Sequence, residues 1–203
     1  MEPSSAAPQL ILASASPRRR QLLHEAGVTF TVVPSNTSEG VQAGETPEGY
    51  ALRVALEKAL DVAKRHPGAW VLGADTIVEI DGEILGKPRN EAEGTCMLRQ
   101  LSSRTHRVTT AFALIDGEGQ VRTSQVITSR VTFKPLSDEQ IHAYLATGEP
   151  CDKAGAYAVQ GLGAALVERV EGSYTNVVGL PADEVLAVLR AAGLLQDKEV
   201  PPP

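Results

Sequence analysis

The chain has 203 residues, enough to bury most of its apolar surface in one domain without disulfide or metal staples. Hydrophobic residues make up 42% and aromatics 4%, so this is an ordinary globular composition whose core must come from Leu, Val, Ile and Ala. A net charge of -6, from 25 acidic and 19 basic residues, argues against a nucleic-acid coat, whereas a small phosphate ligand needs only a few local cations.

In chain order, Leu10 to Ala13 reads as a short buried strand, followed by a helix from Pro17 to about Ala26 that stops at Gly27. Val28 to Val33 reads as a second strand, and the polar stretch Pro34 to Thr46 as a loop. A long helix is predicted from Pro47 to His66, with Leu52, Ala55, Leu56, Ala59, Leu60 and Ala63 as its apolar stripe. Trp70 to Val78 is a strand. Asp81-Gly82 between Val78-Glu79-Ile80 and Glu83-Ile84-Leu85 is a hairpin signal.

Asn90 should cap a helix running to about Leu101, with Glu91 and Glu93 in its first turn. Val108 to Ile115 and Val121 to Phe133 are β-rich runs joined at Asp116-Gly117. Ser137 should cap a helix from Asp138 to about Leu145. Ala164 to Val170 and Asn176 to Val178 read as strands, and Pro181 to Ala192 as the closing helix. Mixed helices and strands with a hairpin predict an α/β fold on a mixed sheet. One domain is expected over residues 1–203, with 1–9 and 196–203 as flexible tails. Cys96 and Cys151 lack metal-ligand spacing and read as reduced thiols. No apolar run reaches the length of a membrane span, and the polar start lacks a signal-peptide core, so the expected location is cytoplasmic.

Three stretches carry candidate chemistry. In Ser14-Ala15-Ser16-Pro17-Arg18-Arg19, Ser16 is a good N-cap and Pro17 suits the first helical position. A helix N-terminus there would present N–H groups to an anion, and Arg18 and Arg19 would add charged donors. The alternative is a capped helix with surface arginines. In Val71-Leu72-Gly73-Ala74-Asp75-Thr76 an acid ends an apolar strand, where it could hold a hard cation or orient a water. Gly73 and Ala74 would leave room for a close approach, and Thr76 could bond a ligand; a plain strand-end cap is the competing reading. Glu39 and Lys87 would complete an inventory of two carboxylates and a lysine for metal-assisted attack on a phosphate, if they converge with Asp75, and Lys58 on the long helix would be a further phosphate contact, its competing reading being a solvated helix lysine. The third stretch, Asp152 to Gly163, is rich in small residues around Gln160, whose amide could meet a base edge. Its competing reading is turns plus a buried strand.

Taken in this order, five blocks resemble the Maf family of nucleotide pyrophosphatases. They are Ser14-Ala15-Ser16-Pro17-Arg18-Arg19, Gly73-Ala74-Asp75-Thr76, Gly86-Lys87-Pro88, Asp152-Lys153-Ala154-Gly155-Ala156-Tyr157 with Gln160-Gly161, and Asn176-Val177-Val178-Gly179-Leu180-Pro181. The resemblance implies an elongated mixed sheet with flanking helices and a cleft between two lobes, like the inosine-triphosphate pyrophosphatases. It implies hydrolysis of a nucleoside triphosphate to the monophosphate and pyrophosphate, assisted by Mg²⁺ or Mn²⁺ on Glu39 and Asp75. Asp75, Glu39 and Lys87 would be catalytic. Ser14, Arg18, Arg19, Lys58, Thr76 and Gln160 would bind substrate.

The Asp-Lys-Ala-Gly-Ala-Tyr and Gln-Gly blocks resemble the branch acting on dTTP and UTP rather than the one preferring 7-methyl-GTP. A nucleotide-binding regulator of cell division that does not cut its ligand is the competing class. The resemblance also allows a homodimer. Ser103, Ala158 and Ala182 depart from the family pattern, with Ser103 and Ala158 standing where Gly is usual.

Overall fold

The computed structural model describes residues 9–195. The expected flexible tails lie, apart from residue 9, outside that range. The elements are β1 (Leu10–Leu12), α1 (Pro17–Glu25), β2 (Thr31–Val32), α2 (Pro47–Arg65), β3 (Trp70–Ile80), β4 (Glu83–Leu85) and α3 (Glu91–Leu101). They continue with β5 (Thr105–Ile115), β6 (Val121–Phe133), α4 (Asp138–Leu145), β7 (Val167–Glu171), α5 (Tyr174–Val178) and α6 (Ala182–Ala191). The strands form one mixed sheet in the order β2-β1-β3-β5-β6-β7, with β4 paired to β3 off that path. β1 runs parallel to β2 and β3; every other pairing is antiparallel. The mixed α/β architecture expected from the sequence is therefore the one observed.

Along one side of β3, β1 covers residues 70–72 and β4 covers residues 78–80. Among the described residues the stretch between them has no strand neighbour on that side, and β5 runs along the other. A break in the sheet thus lies beside the middle of β3.

Strand alternation sorts the two faces. Val71, Ala113 and Ile115 pack against Ala59 and Val62 of α2, and Ile77 and Ala111 against Val54 and Ala55. On the opposite face, Leu72, Ala74, Phe112 and Leu114 pack with Leu23 of α1 and with Val185 and Leu189 of α6. Further along the same strands, Val78, Ile80 and Val108 pack with Met97, Leu98 and Leu101 of α3 and with Ile141 and Tyr144 of α4. That face therefore carries two apolar clusters. Between them, Thr76 and Thr110 face each other with hydroxyls 2.8 Å apart.

Some expectations are corrected. The buried face of α2 is Tyr50, Ala51, Val54, Ala55, Lys58, Ala59, Val62 and Ala63, whereas Leu52, Leu56 and Leu60 are only half-buried. The cause is close packing: a Cβ on Gly73 would stand 2.4 Å from the Ala55 carbonyl, so small residues must face β3. The neighbour that Gly73 admits is a helix, not a ligand. The predicted strand at Asn176 is the helix α5, because Ser173 caps it by accepting from the Asn176 N–H at 3.2 Å and Gly179 ends it at φ 133°. The strand predicted from Ala164 begins at Val167, after a 3-10 turn over Gly161–Leu166. Only Thr31–Val32 of the predicted second strand pairs.

Ser103 follows α3 with φ 58° and is exposed. Left-handed backbone strains an L residue, which explains why Gly is favoured at such a turn. Ser103→Gly is expected to raise the unfolding free energy by about 0.5–1 kcal/mol in urea titration, the relief of strain exceeding glycine's added chain entropy.

His106 is 1% exposed, with Nε2 2.7 Å from the Tyr157 hydroxyl and edge-on contacts to the Phe133 and Tyr157 rings. Its Nδ1 has no hydrogen-bond partner among the described residues. Burial pushes its pKa down to about 4. The unfolded chain binds this proton near pH 6.5 and the folded one near 4, so stability is full above 6.5 and falls as pH drops through that window. Between pH 7 and 5 the protein should lose about 2 kcal/mol more unfolding free energy than a His106→Leu variant, as read by urea titration at both pH values.

Candidate active site

The turn from β1 into α1 enters the break beside β3. Ser16 accepts from the Arg19 N–H at 3.4 Å, and Pro17 occupies the first helical position, so α1 starts as the sequence predicts. The Ser14 hydroxyl accepts from the Ser16 N–H at 3.2 Å and from Arg19 Nη1 at 3.1 Å. A hydroxyl has two acceptor positions and one proton. With both acceptor positions filled, Ser14 can only donate, which is what an anion requires.

Arg19 and Arg18 part ways. Arg19 is 8% exposed and spans the break. Its Nε donates to the Gly179 carbonyl at 2.8 Å, Nη1 to the Ala74 carbonyl at 2.9 Å, and Nη2 to the Thr76 hydroxyl at 2.9 Å. Burial pulls its pKa down, and the charges of Asp75 and Glu39 offset part of that. Most of its donors are committed to the protein, so its first role is to tie α1, β3 and the end of α5 together. Arg18 is half-buried and makes no ion pair among the described residues.

Asp75 and Thr76 sit on opposite faces of β3. Asp75 points to the α2 face, where Lys58 Nζ meets its Oδ1 at 2.8 Å and Glu39 Oε1 at 2.6 Å. Lys58 and Asp75 are each 7% exposed, and Glu39 reaches in from the loop between β2 and α2. Burial works against the charge of Glu39. The hydrogen bond and charge of Lys58, with the charges of Lys87 and Arg19, outweigh it and hold the carboxyl below its ordinary range. The Glu39 loop is itself held: Tyr50 Oη donates to the Glu39 carbonyl at 2.8 Å, and Arg53 binds the Gly40 carbonyl and the Glu45 carboxylate. Thr76 turns to the other face and bonds Arg19 and Thr110, so its hydroxyl is engaged within the protein.

All nine residues proposed from the sequence line one cavity of about 390 Å³: Ser14, Arg18, Arg19, Glu39, Lys58, Asp75, Thr76, Lys87 and Gln160. That volume suits a nucleotide-sized ligand. The cavity opens at the sheet break, between the two apolar clusters. Lys87 lines it without an ion pair among the described residues, whereas Lys153 is drawn to Asp152 at 2.6 Å. Gln160 is exposed at its rim with no protein hydrogen bond among the described residues.

No group of three or more His, Cys, Asp or Glu suited to a metal is present among the described residues. Glu39 and Asp75 each give one oxygen to Lys58 and leave a second free of hydrogen bonds from described residues. That pair fits a hard divalent cation, which takes one or two carboxylates and completes its shell with water and phosphate oxygens.

The sequence reading missed Asn176. It is fully buried; its Oδ1 accepts from the Thr110 N–H at 3.1 Å, and its Nδ2 donates to the Val108 carbonyl at 3.0 Å and to Ser129 Oγ at 2.9 Å. It docks α5 on β5 and so sets the height of Gly179, Arg19's partner. Its one signal was its place at the head of the Asn176-Val177-Val178-Gly179-Leu180-Pro181 block, which does not mark it as a buried bridge to β5.

The family model described as Maf-like protein matches residues 9–192. A dTTP/UTP pyrophosphatase of Geotalea uraniireducens is 51% identical over 187 residues, covering 92% of this chain and 96% of the relative. One of Myxococcus xanthus is 53% identical over 185 residues, covering 91% and 93%. Among solved structures, a nucleoside-triphosphatase, dITP/XTP pyrophosphatase, of Mycobacterium abscessus aligns with 92% of this chain and 97% of its own at 18% identity and a TM-score of 0.42.

The contrast between the adjacent arginines is testable. Arg19→Met strands the Ala74 carbonyl, leaves the Gly179 carbonyl only the Thr76 hydroxyl at 3.3 Å, and is expected to cost about 2–4 kcal/mol of unfolding free energy. Arg18→Met should stay within about 0.5 kcal/mol, as surface substitutions do. Equal losses for the two in urea titration would contradict the assignment of Arg19 as the tie across the break.

Proposed function

The chain belongs to the Maf family, and from that premise we propose that it hydrolyses nucleoside triphosphates, dTTP and UTP first, to the monophosphate and pyrophosphate. The observation that carries this reading is the meeting of Glu39, Lys58 and Asp75 at the wall of a cavity whose other wall is the Ser14–Arg19 turn. An acid cluster and an anion-binding helix start, facing one space, are the two halves of a phosphoryl-transfer site.

In the proposed mechanism the triphosphate lies against the start of α1. Ser14 donates a hydrogen bond to a phosphate oxygen, and Arg18 and Lys87, which form no ion pair among the described residues, bind others. Glu39 and Asp75 would hold Mg²⁺ or Mn²⁺ through their free oxygens. The cation, when bound, supplies a Lewis acid that offsets charge building on the phosphate. Asp75 orients the attacking water and accepts its proton as the oxygen adds to the α-phosphorus. The bond to the bridging oxygen breaks, and pyrophosphate leaves with that oxygen. Lys58 bonds both acids and fixes their separation, so it acts on the carboxylates rather than on the phosphates. Arg19 holds the walls in register. Gln160, at the rim, meets the base. A cytoplasmic location belongs to the same reading.

Pyrophosphate release from dTTP, UTP, CTP and 7-methyl-GTP with Mn²⁺ tests the activity and its preference. Asp75→Asn is expected to lower kcat by about 10²–10⁴-fold while leaving the circular dichroism spectrum unchanged. Near-normal kcat in that variant would remove Asp75 from the role of base. Nucleotide binding without pyrophosphate release by the unmutated protein would make it a sensor and not an enzyme.

A further inference from the structure

The segment that carries Gln160 hangs from one carboxylate. Glu149 Oε2 accepts from the Leu162 N–H at 3.0 Å, and Oε1 accepts from the Gly163 N–H at 3.0 Å and from Tyr144 Oη at 2.9 Å. The Tyr144 oxygen in turn accepts from the Ala158 N–H at 3.1 Å. Three backbone N–H groups flanking Gln160, at 158, 162 and 163, are thus tied directly or through one hydroxyl to Glu149.

The fit leaves no slack. A Cβ on Gly161 would stand 2.6 Å from Glu149 Oε2, and one on Gly163 would stand 2.3 Å from the Ala158 carbonyl and 2.5 Å from Tyr144 Oη. Tyr144 is 5% exposed within the cluster built on α3 and α4, so the anchor is part of a packed core. Neither Glu149 nor Tyr144 lines the cavity; the segment they hold does, through Ala158, Val159 and Gln160.

A primary amide offers a donor and an acceptor side by side, and its rotation suits more than one base edge. Gln160 can therefore select a base only if the backbone beneath it is held at one height and angle. We propose that Glu149 and Tyr144 are positioning residues for nucleotide selection, fixing the Gln160 segment so that a thymine or uracil edge is accepted ahead of cytosine. This rests on the reading of Gln160 as the residue that meets the base.

The test measures binding, so that it stands apart from hydrolysis. Affinities for α,β-imido-dTTP, α,β-imido-dCTP and inorganic tripolyphosphate are measured by calorimetry with Mg²⁺ for the full chain and for Tyr144→Phe and Glu149→Gln. Both variants should lose about tenfold in the dTTP-to-dCTP affinity ratio, the scale of one lost bond to a charged group, while tripolyphosphate binds as before. Tyr144→Phe carries the test alone if Glu149→Gln does not fold. An unchanged ratio overturns the proposal, as does a ratio near one in the unmutated chain. A parallel loss of tripolyphosphate affinity also overturns it, since that marks general loosening. Absence of pyrophosphate release would strike the proposed activity and leave this ratio to be read.

Discussion

The constraint on which the rest of the site depends is the break in the sheet beside β3. A backbone carbonyl inside a protein must find a donor, and a strand whose neighbour stops short leaves some without one. β1 pairs only as far as Leu72 and β4 takes over only at Val78, so the Ala74 carbonyl looks into open space on that side. Arg19 fills it, and its planar fork bonds the Thr76 hydroxyl and the Gly179 carbonyl in the same plane of reach. The cavity exists because the sheet is interrupted, and the interruption is tolerable because one guanidinium satisfies it.

A second constraint lies on the other face. Burying Lys58 and Asp75 removes two charges from water, which is favourable only when each finds a partner in good geometry. The helix must therefore approach closely enough for a lysine on α2 to reach an acid on β3. Gly73 permits that approach, and Ala55 and Ala59 match it with small side chains. The ion pair depends on how near the backbones come. Glu39 adds a second acid to the same ammonium from a flanking loop, and Tyr50 and Arg53 hold that loop from α2 itself. The helix thus supplies the central cation and also fixes one of the two acids it binds.

Legibility in the sequence followed physical range. Caps were readable because they are local: Ser16, Asn90 and Ser137 each accept from the N–H three residues on, as their residue types suggest. The β3–β4 hairpin was readable from Asp81-Gly82 for the same reason. The α2 face was misjudged because hydrophobicity favours leucine, whereas the close contact at Gly73 favours alanine and the acids beyond it favour a buried lysine. The tie that Arg19 makes across the break was not legible, because chain position cannot reveal a partner 160 residues away. Asn176, Glu149 and Tyr144 escaped for a related reason: their work is to satisfy distant backbone groups, and nothing in periodicity marks that. The convergence of the nine cavity residues was suggested by the resemblance and is visible only in three dimensions.

Asp75 and Thr76 show how one strand divides two side-chain networks between its faces. Neighbours on a strand point to opposite faces, so one residue joins the acid cluster under α2 while the next joins the arginine and threonine network on the far side. The two networks share a single stretch of extended backbone, which cannot twist one side chain without moving the other. A strand paired to β5 along nearly its whole length is among the stiffest supports the fold offers. The segment that carries Gln160 has no such support, being irregular chain just before the 3-10 turn over Gly161–Leu166, and its order must come from side chains that grip its N–H groups. The strand therefore fixes the acid and the arginine network, and the clamp fixes the rim. Changes in nucleotide preference are consequently more accessible through the clamp, where one bond can be altered at a time, than through β3, where every change is felt on both faces.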